Sequence, residues 1–112
     1  MPSIAVQKNK PEMLGLDKLT QAANCLKVLA HPHRLRMVEI LMQGKFAVSS
    51  IAELCDLPPH QACEHLRLMQ GHGLLSSHRS GRTVYYEVSN PNLPAIIKCI
   101  RKNCGGKAKL KA

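Results

Sequence analysis

A chain of 112 residues with one Phe, two Tyr and no Trp supports one domain with an aliphatic core, small enough that pairing with a second copy would add useful burial. No apolar run approaches the ~20 residues that a membrane-crossing helix needs, and no signal-peptide pattern opens the chain, so no membrane partner is expected. Five cysteines at uneven spacing point to a reducing cytoplasm and against a disulfide framework. The formal charge of +9 invites a nucleic-acid reading, but residues 92–112 alone carry six basic side chains and no acid. Most of the excess therefore sits at the far end of the chain.

Residues 1–13 lack periodicity and read as a flexible N-terminal arm. Leu16, Leu19, Ala23, Leu26 and Ala30 then share one face of an amphipathic helix. His31-Pro32-His33 breaks it, because Pro32 cannot continue a helix and restrains the residue before it. A second helix begins near His33, with Leu35, Val38, Leu41 and Met42 as its buried face, and ends at Gln43-Gly44.

From Val48 the pattern changes. Val48, Ile51, Ala52 and Cys55 make a short helix, and Asp56-Leu57-Pro58 makes a turn. Asp56 stands where such a turn needs a left-handed residue. Pro59 suits the first turn of the next helix, in which Ala62, Leu66 and Met69 face inward. His60, Gln61, Glu64 and Arg67 then face outward or flank the groove. Gly71-His72-Gly73 stops that helix, and strand-like runs Leu74–His78 and Thr83–Val88 flank a turn at Arg79-Ser80-Gly81-Arg82. Two helices, a tight turn and an arginine-tipped hairpin make a helix-turn-helix with a wing, a shape for reading DNA. Asn90-Pro91-Asn92 opens a last helix with Leu93, Ile96, Ile97, Ile100 and Cys104 on one stripe. The fold class is mainly α with a small β-hairpin wing, in a domain spanning 14–104, followed by a basic disordered tail at 105–112.

The runs LKVLAHPHRLRMVEIL, SIAELCDLPPHQACEHLRLMQGHGLL and HRSGRTVYYEV resemble the ArsR family of winged-helix repressors. Its "LA-x-P-x-RL", "HL-x-x-L/M-x-x-x-GL" and "R-x-G-R-x-x-Y" patterns fall on Ala30-His31-Pro32, Arg34-Leu35, His65-Leu66, Gly73-Leu74, Gly81-Arg82 and Tyr85-Tyr86. The resemblance runs from about Leu16 to Cys104. It implies a homodimer joined through the first and last helices, bound to an imperfectly palindromic double-stranded DNA operator. His60, Gln61, Glu64, Arg67, Arg79, Ser80, Arg82 and Thr83 are then the DNA-binding candidates. Glu64 departs from a purely basic reading face, but a glutamate can accept a hydrogen bond from cytosine N4.

Members of such a family lose DNA affinity when a metal, a metalloid or an oxidant reaches the protein. The metalloid signature ELCVCDL would put its two cysteines on Ala47 and Ser49, so that site is absent. No Asp, Glu or His follows Val88 after Glu87, so the last-helix metal site is missing too. The upstream cysteine of a persulfide-sensing pair would fall near Glu39, leaving only half a pair. Cys25, Cys99 and Cys104 remain as candidate sensing thiols for a metalloid, oxidant or persulfide inducer. Each also has a plain role as a small apolar side chain. Cys55 and Cys63 bracket the helix-turn-helix turn.

The histidines read as exposed or helix-capping at His31 and His33, and as a packing residue at His65. No C-x-x-C or H-x-x-x-H spacing supports a structural zinc site, and neither metal nor cofactor is expected. No phosphate loop, nucleophile elbow or carboxylate pair supports an enzyme. Two alternatives stand beside a signal-released repressor. One is a winged-helix protein–protein interaction module, and the other a constitutive DNA-binding regulator whose cysteines simply pack.

Overall fold

The computed structural model describes residues 10–104. The expected arm lies largely outside the described residues, and the expected tail lies wholly outside them. Five helices and three short strands follow in the order α1 (Leu16–Leu29), α2 (Pro32–Leu41), β1 (Phe46–Ala47), α3 (Val48–Cys55), α4 (Pro59–Gly71), β2 (Leu75–Ser80), β3 (Thr83–Val88) and α5 (Leu93–Asn103). Among the described residues no helix is long and apolar enough to cross a membrane.

The break between α1 and α2 is local chemistry. Pro32 occupies the first turn of α2, where a missing N–H costs nothing, and the imidazole of His31 caps the helix by accepting from the His33 backbone N–H at 3.2 Å. α2 is the central helix and touches every other helix as well as β3. Its buried set is Met37, Val38, Ile40 and Leu41, with Leu35 and Met42 only partly covered. The expected narrow stripe is therefore a broad one, because the helix is packed from several sides.

α3 ends in a left-handed residue, Asp56, at φ 57° and ψ 47°. The Leu57 N–H reaches back to the Ala52 carbonyl and the Asp56 N–H to that of Glu53, so two otherwise orphaned acceptors are satisfied. Leu57 packs against the core on the same side. This geometry sets the angle at which α4 leaves, and α4 buries Ala62, Leu66 and Met69 completely.

The sheet has the order β1-β3-β2, all antiparallel. β1 is an element that the sequence did not suggest. Its two residues pair with Tyr86 and Tyr85. The hairpin differs from expectation at its tip. Arg79 pairs with Val84 and Ser80 with Thr83, so both lie in β2 and only Gly81-Arg82 connect the strands. Gly81 takes φ +64°, the positive value that two-residue hairpin loops demand at their first position.

Cys104 also moves from its expected place. α5 buries Leu93 and Ile97, but the helix stops at Asn103, whose side chain takes the Cys99 carbonyl at 3.1 Å. Cys104 turns into an extended conformation and is exposed, so it does not belong to the apolar stripe.

Candidate nucleic-acid interface

The helix that would enter a groove is presented by its own inner face. With Ala62, Leu66 and Met69 fixed in the core, His60, Gln61, Glu64 and Arg67 are all exposed on the other side of α4. Pro58 and Pro59 start the helix without a side-chain cap, leaving His60 and Gln61 in its open first turn. The Gln61 N–H already bonds the Pro58 carbonyl at 3.0 Å and Pro59 has none to offer, so what this turn presents is its two side chains and the partial positive charge of a helix start, suited to a phosphate or a base edge.

The wing stands beside that turn. Arg82 and Thr83 line a hollow shared with Val48, Pro59 and Cys63, so the hairpin tip sits next to the start of α4. Arg79 and Ser80 are exposed along the outer strand β2. All of the expected interface residues are exposed except Thr83, which is half-buried.

Three residues that meet on the wing, Lys45, His78 and Tyr85, were missed. Tyr86 is buried, its phenol pushed up chiefly by that burial, whereas Tyr85 points to the other face of β3. There the His78 ring stacks on Tyr85 at 5.6 Å and an interplanar angle of 18°, and Lys45 Nζ lies 5.9 Å from the ring centroid. The alternation of a strand requires adjacent tyrosines to face opposite ways, and that signal could have found the stack. It adds a cation and an aromatic face to the wing.

Behind α4, Arg34 donates from Nε to His65 Nδ1 at 3.1 Å and from Nη1 to the Val28 carbonyl at 3.0 Å. One arginine therefore fastens α1, α2 and α4 together. Burial, then the neighbouring His31, Arg34 and His33, hold His65 below the usual imidazole range, with Glu64 pulling the other way. His31, His33 and His65 gather into one cluster, which reading each histidine separately did not anticipate.

The thiols are scattered. Cys55 is buried, and burial raises its pKa, opposed weakly by Arg36; this is a packing cysteine. Cys25 is half-buried against a hollow between α1 and α5 lined by Leu26, Leu29, Leu93 and Ile96, while Cys99 and Cys104 are exposed. Cys63 is half-buried beside the wing.

Comparison with known proteins agrees with this architecture. A family model described as a helix-turn-helix domain matches residues 29–78. The transcriptional repressor PagR of Bacillus anthracis is 36% identical over 83 residues, covering 73% of this chain and 83% of that protein. Its crystal structure superposes with a TM-score of 0.68 at 33% identity, covering 78% of this chain and 100% of that one. A homodimeric winged helix-turn-helix DNA-binding domain from Mycobacterium bovis superposes with a TM-score of 0.69 at 27% identity, over 76% of this chain and 79% of its own. A repressor from Synechocystis sp., named as an SmtB homologue, is 29% identical over 93 residues, covering 83% of this chain and 70% of that protein. With the helix order, the left-handed turn and the wing all in place, the chain belongs to the ArsR family of winged helix-turn-helix transcriptional regulators, whose members are not enzymes.

Proposed function

We propose that this chain is a homodimeric repressor that binds a specific, imperfectly palindromic operator and leaves it when its cysteine thiols react. The observation that carries the DNA reading is the exposed polar face of α4 with the Arg82 wing beside its first turn. His60 and Gln61 read base edges, Arg67 reaches phosphate or guanine, and Arg79, Ser80, Arg82 and Thr83 hold the backbone or the adjacent minor groove. Glu64 selects cytosine.

The second copy covers the outer face of α1. Leu16, Leu19 and Leu26 are 79%, 43% and 55% exposed, an apolar stripe that a lone domain would leave in water. The M. bovis domain of the same fold is described as homodimeric. Twofold pairing sets the two reading helices roughly 34–36 Å apart, one DNA turn.

The release step uses Cys25, Cys99 and Cys104. Cys25 borders the hollow between α1 and α5, and Cys99 and Cys104 are open to reagents. Linking thiols on the dimerising helices changes the angle between subunits and so the spacing of the reading helices.

Operator binding is tested by titrating labelled promoter DNA at several salt concentrations. A steep log-linear loss with salt is expected, and an insensitive complex would favour a protein-binding winged helix instead. Release is tested with As(III), Zn(II), peroxide and persulfide on the parent and on Cys25→Ser, Cys99→Ser and Cys104→Ser. Unchanged release in all three variants would exclude these thiols.

A further inference from the structure

Three imidazoles converge where the start of α2 meets the middle of α4. One ring nitrogen from each of His31, His33 and His65 lies within 4.8 Å of those of the other two. The His31 and His65 ring centroids are 4.6 Å apart. Two of the rings have structural work, since His31 caps α2 and His65 accepts from Arg34. The His33 ring makes no hydrogen bond among the described residues, and it is the ring that completes the set.

We propose that His31, His33 and His65 bind one divalent first-row transition ion of the Zn(II), Co(II) or Ni(II) kind, bridging α2 to the reading helix. Imidazole nitrogen suits these borderline ions, and the absence of a carboxylate from the group disfavours Mg(II) and Ca(II). Tetrahedral bonds of about 2.0–2.1 Å place ligand nitrogens about 3.4 Å apart. The separations therefore close by on the order of 1 Å, within reach of side-chain rotation. Three protein ligands leave a fourth position for water. A search for four ligands at short sequence spacing overlooks such a site, because it is built from an H-x-H pair and one histidine from a distant helix.

The ion has a defined competitor. His65 Nδ1 accepts from Arg34 Nε and His31 Nδ1 from the His33 backbone N–H, so each ring when neutral carries its proton on Nε2. Ligation at Nδ1 takes the lone pair in use; ligation at Nε2 moves the proton to Nδ1. Either way both hydrogen bonds are given up, and the ion replaces Arg34 as the link to α4. Arg34 keeps its bond to the Val28 carbonyl. Occupancy is thereby coupled to the packing behind the DNA-reading face. This goes beyond the thiol reading and uses none of the cysteines.

The test takes the full chain, stripped with chelator and kept reduced, and titrates it with Co(II) and then Zn(II). Imidazole nitrogen NMR and the cobalt absorption spectrum are followed. One ion per chain is expected, shifting the ring nitrogens of His31, His33 and His65 but not those of His60, His72 and His78, with no thiolate-to-cobalt charge-transfer band. His33→Asn should fold as the parent does and lose more affinity than the about 10–100-fold typical of an outer-shell partner. A thiolate band, shifts confined to the other histidines, absence of binding, or parental affinity in His33→Asn would overturn the site. Operator binding by the stripped protein is measured in parallel. Ion binding without DNA binding removes the repressor reading and keeps the site; DNA binding without ion binding does the reverse.

Discussion

Arg101 donates from Nη2 to Oε2 of Glu39 at 3.1 Å across 62 positions of sequence, tying α5 to α2, while Arg36 holds the other carboxylate oxygen. The Arg101 hydrogen bond holds the Glu39 carboxyl below its ordinary value of 4.5, with burial opposing and Arg36 helping. A depressed carboxylate stabilises the fold above its unfolded pKa, and the contribution disappears as pH falls through the folded value. Stability should therefore be flat on this account near neutral pH and decline only below 4.5. Both arginines are largely exposed, so Glu39→Gln should cost under about 1 kcal/mol near neutral pH and flatten the acid limb. Urea denaturation of parent and variant across that range checks this; parallel acid limbs would remove the assignment.

Leu19→Glu and Leu26→Glu place charges on the exposed stripe of α1, outside the core of the single chain. The expected result is a folded monomer with normal helix content and weak operator binding. Sedimentation and DNA titration on the same samples decide it. A variant that stays dimeric would move the interface elsewhere.

Arg82→Ala should weaken good and poor operators by similar factors and reduce the salt slope by about one unit, because a backbone contact carries affinity more than sequence choice. Loss confined to the good operator would make Arg82 a base reader.

Asp56 is the single described non-glycine residue with positive φ. Asp56→Ala should lose on the order of 1 kcal/mol, since alanine enters the left-handed conformation less readily than aspartate. Asp56→Gly should equal or exceed the parent, because glycine takes that conformation freely. Thermal melts of the pair separate backbone strain from any loss of carboxylate function.

Leu66 is wholly buried on the face of α4 opposite its exposed polar side. Leu66→Ala should cost about 2–5 kcal/mol and reduce DNA binding only through the unfolded fraction. A well-folded variant that failed on DNA would show that the groove helix had tilted.

Periodicity and punctuation made the helices legible: Pro32, Pro59, Asp56 and Gly73 after α4 each dictate a local geometry that neighbouring residues cannot override. β1 was not legible, because Phe46-Ala47 is too short to show alternation and exists only through pairing with β3. The hairpin tip was read one residue pair too wide, since Gly81 alone supplies the positive φ of a two-residue loop. The outward face of α4 followed from its inward one. The histidine cluster did not follow, because 32 positions separate His33 from His65 and only the crossing of α2 over α4 brings them together. Cys104 was misplaced by carrying a 3.6-residue stripe past a helix end that the Asn103 side chain helps to set.

Ala47 pairs with Tyr85 in the sheet and is also the N-cap of α3. Wing and helix-turn-helix therefore share a residue, and α4 also packs on β2, so the two are expected to meet DNA as one stamp. Neither part can search for its contact after the other has landed, so fit to the duplex is all-or-none within one subunit. Adjustment is left to the gap between two stamps, and operators should tolerate a changed base more readily than an inserted one at their centre.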